Sequence, residues 1–216
     1  MSSLSPKIVA AGLTDPGKIR VTNEDAIFVD KGLSLFVVAD GMGGMSSGEI
    51  ASGFVIEMVR RELARGTLAQ SPAAFLNEAL ARANSRVYFH SLDNPEKRGM
   101  GSTVVALAFA GGRFFHAHAG DSRLYRLRGF ELRQLTHDHS LVWALYREGK
   151  ISKQQMMTDR RANQISRAIG IRDELEAEFG EDDLEAGDVF LLCSDGLHGM
   201  VDDPELAQVL SRKDPP

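Results

Sequence analysis

Ser34-Leu-Phe-Val-Val-Ala-Asp-Gly-Met-Gly-Gly44 decides the fold. Phe36 to Ala39 are apolar at every position rather than at alternate ones, so the strand they form is buried on both faces and sits inside a sheet. The strand ends on Asp40 and a glycine-rich turn. Val189-Phe-Leu-Leu-Cys-Ser194 repeats the pattern and ends on Asp195-Gly196. An Asp-Gly pair alone is ordinary turn or cap chemistry. Two pairs, each at the C-terminal end of an apolar strand, instead suggest carboxylates delivered to one place.

Working outward, Ala26 to Asp30 is a second strand, joined to the first through a tight turn at Lys31-Gly32. Upstream lie a short apolar run, Ile8 to Leu13, and a turn at Asp15-Pro16-Gly17. Downstream, Ile50, Phe54, Val55, Met58, Val59 and Leu63 recur at helical spacing. Ser46 and Glu49 have capping-box spacing, and Gly66 marks the stop. Ser71-Pro72 opens a second helix that runs through Val87. Thr103–Ala110, Gly111-Gly112 and Arg113–Ala119 read as a hairpin, with Arg123–Leu127 as a further strand. The stretch 137–172 is short and helical, and Pro204–Leu210 is a helix capped by Asp202 or Asp203. Strands in hairpin runs and helices in pairs argue against a doubly wound parallel sheet. The expected class is α+β, a four-layer α-β-β-α sandwich of two antiparallel sheets flanked by helical pairs.

The 216 residues are read as a single domain, 1–216. With 43% hydrophobic and 25% charged residues the chain has a globular composition. No apolar run approaches the ~18–20 residues of a membrane helix, and residues 1–10 do not resemble a signal peptide. The single cysteine, Cys193, lies in an apolar strand and excludes an internal disulfide or a Cys-rich zinc site. A cytoplasmic protein is expected, and a monomer. The net charge of −5 argues against a nucleic-acid partner.

Bare carboxylates converging from two strands repel each other. At ~5 Å and an effective dielectric of ~20, each pair costs about 3 kcal/mol. They either take up protons or hold a cation, and an all-aspartate shell suits Mg²⁺ or Mn²⁺. Glycine after the aspartate lets its carbonyl approach a metal without a Cβ in the way. Glu24-Asp25, with Arg20 four residues earlier, and Gly120-Asp-Ser-Arg123 are further acid sites. Taken singly, these are solvated loop charges or a turn residue.

Arg20-Val-Thr-Asn-Glu-Asp25, Val37-Val-Ala-Asp-Gly-Met-Gly-Gly44, Gly101-Ser-Thr103, Gly120-Asp-Ser-Arg123, Leu135-Thr-His-Asp-His-Ser140, Ser166-Arg-Ala-Ile-Gly170 and Leu192-Cys-Ser-Asp-Gly-Leu197 together resemble, in order, the metal-dependent type 2C serine/threonine protein phosphatases in their bacterial form. The resemblance implies that Asp40 bridges two metal ions and that the Gly41 carbonyl completes one shell. It implies that Asp195 is a ligand of the first ion and that Glu24 and Asp25 hold metal-bound waters. Asp121, with Asp195, would hold a third, weaker ion. Arg20 would grip the substrate phosphate with its guanidinium fork. The implied reaction is hydrolysis of phosphoserine and phosphothreonine in proteins by a bridging metal-bound hydroxide, using Mn²⁺ or Mg²⁺. The implied partners are a phosphorylated protein substrate and a cognate serine/threonine kinase. Residues 137–172 resemble a flap beside the active site, where Trp143, Tyr146, Met156 and Met157 either touch substrate or form a satellite core. Arg160-Arg161 either greet phosphate or are solvated.

The family pattern also implies one more helix and strand carrying an Asp-Asn ligand pair, and nothing after Leu210 matches it. On that ground the alternative is a catalytically weak or inactive phosphatase-like regulatory or binding module. A different two-metal hydrolase, such as a nuclease, fits the acidic surface and Arg20 less well. Met42 stands where some members carry a histidine acid. His116 and His118, two apart on one strand, are candidates for a ligand or proton donor, although strand histidines are more often hydrogen-bonded structural groups. His137 and His139 are expected in capping or surface roles.

Overall fold

The computed structural model describes residues 7–44, 47–162 and 164–212, without the side chain of Met157. The larger sheet contains β1 (Asp25–Asp30), β2 (Leu35–Met42), β4 (Val104–Ala110), β5 (Arg113–Ala119) and β8 (Glu178–Asp183) in that spatial order, with the short β3 (Gly101–Ser102) pairing the end of β2. The smaller sheet has the order β7 (Glu131–Gln134), β6 (Arg123–Arg128), β9 (Val189–Cys193). Every pairing is antiparallel. The helices are α1 (Ser47–Leu63), α2 (Pro72–Asp93), α3 (Leu141–Arg147), α4 (Lys153–Thr158), α5 (Asp195–His198) and α6 (Asp203–Leu210). The α+β class with two antiparallel sheets is as expected.

Period-two alternation sorts the strand residues into separate cores. Val37 and Ala39 of β2, with Val104, Ala106 and Ala108 of β4, face α1 and α2. Phe36, Val105, Leu107 and Phe114 face the other way and meet Leu124, Phe190 and Leu192 of the smaller sheet. Because β2 and β4 have a core on each side, they are apolar throughout. On the outer face of the smaller sheet, Leu206 of α6 packs with Tyr125 and Cys193.

Local signals act as expected at several joints. Gly111 and Gly112 take φ of 59° and 77°, the left-handed pair that a two-residue hairpin demands. Ser71 accepts from the Ala74 N–H and Pro72 fills the first turn of α2. Asp202, of the two cap candidates, accepts from the Glu205 N–H. Ser46 lies outside the described residues.

Other details differ. The β1–β2 turn spans 31–34 rather than two residues, with Ser34 at φ 56° and Asp30 Oδ1 accepting from the Leu33 N–H at 2.9 Å. In the apolar run Ile8 to Leu13, Ile8 and Ala10 alone pack over the core between the sheets, while Leu13 is exposed. Three strands escape the sequence reading, the two-residue β3 and a pair at the sheet edges. β7 (ELRQ) and β8 (EFGEDD) are edge strands, and charge on an edge blocks further pairing at the expense of the alternation that reveals a strand. No helix among the described residues is long and apolar enough to cross a membrane.

Candidate metal centre

The β1–β2 register sets Asp25 directly opposite Asp40, so their side chains share a sheet face. Asp40 is fixed through its backbone. Its carbonyl accepts from the Thr103 N–H at 2.8 Å and the Ser102 hydroxyl at 3.1 Å, and its N–H donates to Thr103 Oγ1 at 3.2 Å. Thr103 Oγ1 also lies 2.7 Å from the Ser122 hydroxyl, which ties Asp40 to the Asp121 loop.

Glu24 is held by its carbonyl, which accepts from the Gly41 N–H at 3.0 Å and the Ser52 hydroxyl at 2.6 Å. The first turn of α1 presses on this point. A Cβ on Gly41 would strike the Gly48 carbonyl, and one on Gly48 would meet Glu24 Oε1 and the Gly41 carbonyl. Both positions therefore need glycine. Arg20, mostly exposed, ion-pairs with Glu24 at 3.2 Å.

The smaller sheet supplies the rest. Just past β9 stands Ser194, whose hydroxyl donates to Asp25 Oδ2 at 2.7 Å, and Asp195 follows at the start of α5. Asp121 lies where the chain passes from β5 to β6, and its carbonyl accepts from His198 Nε2 at 3.0 Å. Asp25, Asp40, Asp121 and Asp195 thus come from four distant stretches into one electrostatic neighbourhood. Burial, then the charges of Asp25, Asp195 and Asp121, push the Asp40 carboxyl up to about 8. Burial and then Asp195 and Asp138 push Asp121 up to about 6. Among the described residues none of the four makes an ion pair with a lysine or arginine.

An all-oxygen set with uncompensated negative charge, beside a carbonyl kept approachable by glycine, fits hard divalent cations such as Mg²⁺ or Mn²⁺. Asp40, Asp195, Asp121, Glu24 and the Gly41 carbonyl are the groups that could hold them.

The remaining candidates fall elsewhere. His116 and His118 lie on β5, and burial pushes both down to about 4. His118 Nε2 is 2.9 Å from the His137 carbonyl, the structural reading of the pair. His139 is a correction: it is buried rather than a surface group, stacked on His118 at 4.6 Å. Arg161 is locally paired with Asp159 at 2.7 Å. Met156 is buried, and Trp143 lies tilted against Tyr146 with ring centres 5.5 Å apart; the Met157 side chain lies outside the described residues. Burial pushes the Cys193 thiol up to about 12, so it belongs to the core. Sequence reasoning missed His198 and Ser194, for which adjacency to Asp195 was the one available signal. It also assigned no role to Arg123, whose fork is spent on Asp138 at 2.9 and 2.6 Å.

The family model for protein phosphatase 2C matches residues 20–213. The chain belongs to the protein phosphatase 2C family. Among its relatives, the serine/threonine phosphatase stp of Listeria monocytogenes is 36% identical over 206 residues, covering 93% of this chain and 82% of that protein. The solved structure of PppA, described as a key regulatory component of T6SS in Pseudomonas aeruginosa, is 38% identical with a TM-score of 0.83, covering 96% of this chain and 87% of that one. The catalytic domain of the serine/threonine protein phosphatase PstP, solved with two manganese ions, is 36% identical with a TM-score of 0.84, over 93% and 83% of the two chains. As a member of this family the chain is a phosphoric monoester hydrolase that depends on divalent metal, and the inactive-module reading is not favoured.

Proposed function

We propose that this chain hydrolyses phosphoserine and phosphothreonine in proteins, with two divalent cations, Mn²⁺ or Mg²⁺, held at Asp40, the Gly41 carbonyl and Asp195. A third, weaker cation sits at Asp121 and Asp195. The observation that carries the reading is the convergence of four carboxylates from two sheets with, among the described residues, no cationic side chain paired to any of them. When bound, the cations neutralise the phosphate dianion and supply the bridging hydroxide that attacks phosphorus.

The chain's own residues do the rest. Ser194 holds Asp25 by Oδ2, and Asp25 and Glu24 orient water at the centre. Arg20 orients the phosphoryl group with its fork and spreads the charge that develops on it. The whole acts as one phosphatase domain with 137–172 as its flap. Its partners are a phosphoprotein and a serine/threonine kinase, not nucleic acid, and it works as a monomer in the cytoplasm.

The test is turnover of p-nitrophenyl phosphate and of a phosphothreonine peptide. Activity requires Mn²⁺ or Mg²⁺ and disappears in Asp40→Ala and Asp195→Ala. Undiminished turnover in either variant overturns the proposal.

A further inference from the structure

Behind the Asp121 loop lies a second group of titratable side chains, His118, His139 and Glu178, whose ligand atoms fall within 4.8 Å of one another. The composition is that of a transition-metal site, but the hydrogen bonds assign its lone pairs elsewhere. His139 Nδ1 accepts from the Gly120 N–H at 3.2 Å, so in the neutral ring the proton sits on Nε2, which faces Glu178 Oε1 at 3.2 Å. His118 Nε2 faces the His137 carbonyl, which can only accept, so that nitrogen is protonated too. One imidazole lone pair is left, on the buried His118 Nδ1, too few for a His-His-carboxylate shell.

The arrangement instead has direction. Glu178 stands on edge strand β8, partly exposed and also contacted by Arg167 Nη1 at 3.3 Å. It lies against the Nε2 edge of His139, which grips Gly120 from both sides. The ring takes the Gly120 N–H, and the His139 N–H donates to the Gly120 carbonyl at 2.9 Å. Gly120 has φ +112°, and a Cβ there would strike Thr103, so no side chain of its own can steady it. Asp121 is the next residue. The His139 carbonyl also accepts from the Ser166 N–H at 2.7 Å, pinning the returning end of the 137–172 segment to the same point.

We propose that His139, held by Glu178, is a positioning residue for Asp121: it sets the Gly120 peptide and thereby aims the Asp121 carboxylate at the weaker cation. This rests on the reading of Asp121 as a cation ligand. It follows the general pattern in which a group behind a ligand governs metal affinity by about 10–100-fold.

Calorimetric Mn²⁺ titration of the full chain tests it, with thermal melting as the check on folding. His139→Ala and Glu178→Ala weaken the weaker site by about 10–100-fold and leave the tight ions within about twofold. Glu178→Gln stays within about twofold of the unmodified protein, because its carbonyl oxygen still faces His139 Nε2. His139→Asn, whose Oδ1 can take the Gly120 N–H, binds the weaker ion more tightly than His139→Ala and serves if the alanine variant does not fold. The proposal fails if Asp121→Ala loses the weaker ion while His139→Ala keeps it. It fails if Glu178→Gln falls as far as Glu178→Ala, since charge rather than hydrogen-bond acceptance then matters. It also fails if Zn²⁺ binds an additional site that His139→Ala removes and Asp121→Ala retains. Should Asp121→Ala leave every Mn²⁺ site intact, Asp121 is no ligand and this proposal falls, while the phosphatase reading still stands on Asp40 and Asp195.

Discussion

Carboxylates crowd both ends of β6, and the two ends treat them in opposite ways. At its far end, Arg126 reaches Asp182 of β8 at 3.1 Å, and Arg128 forks onto Asp188 at 2.8 and 2.7 Å, tying the smaller sheet to the larger. A backbone N–H and then Arg126 hold Asp182 below the usual carboxylate range. For Asp188, burial pushes up and the Arg128 fork more than offsets it. At the near end Asp40 and Asp121 are pushed up instead, to about 8 and about 6, first by burial and then by one another's neighbours. The acids at the far end carry their counter-charge in the chain, whereas those at the near end, proposed to hold cations, have no cationic partner among the described residues.

The sharpest way to break this contrast is Asp40→Asn. Turnover falls by at least ~10³-fold, while the metal-free protein melts higher by about 2–4 °C because a repelling charge is gone. Turnover assays and melting curves in chelator read the two effects; a lower melting point in the metal-free variant contradicts the account. Next, Arg20→Lys keeps the charge and loses the fork, and kcat/KM falls by roughly 10-fold with little change in melting. At the other end, Asp188→Asn leaves kcat unchanged and lowers stability by about 1–2 kcal/mol, read by urea unfolding.

The smallest effect is the pH response of the metal-free protein, and its sign differs between the ends. Asp40 and Asp121 have raised folded values, so the native state binds the extra protons. Their contribution declines as pH rises from about 4 towards 8. Asp182 and Asp188 have lowered values, so their contribution is present above about 4 and is lost as pH falls below it. Burial holds His116 and His118 down at about 4, so they oppose this decline and add stability as pH rises from about 4 to 6.5. Metal-free stability is therefore greatest near pH 6.5, and Asp40→Asn flattens the limb above it. A curve that keeps rising to pH 8 in chelator denies the repulsion at the acid centre.

What could be read from the residues follows the same division. Phe36 to Ala39 announce a doubly buried strand because no polar residue interrupts them, and Asp40 stands out at its end. β7 is too short at four residues to show alternation, and in β8 the alternation is diluted by Glu181, Asp182 and Asp183, whose arginine partners, Arg113 of β5 and Arg126 of β6, are far away in sequence. Asp40, Asp195, Asp121, Glu24 and Asp25 were legible as acids beside glycines or strand ends. His139 was not: a histidine in a loop motif reads as surface until the fold stacks it under His118. Arg123 carried no role in the sequence, and only the fold shows that Asp138 occupies its fork.

The hydrogen bond from Ser194 to Asp25 joins residues 169 positions apart. Contacts of such high sequence separation form late, because loop closure must precede them. On the ribosome, the hairpin carrying Asp25 and Asp40 emerges long before β9 does. The nascent chain can thus build this hairpin and the helical pair before Ser194 and Asp195 arrive, and Asp25 lacks its hydroxyl partner until β9 has been synthesised.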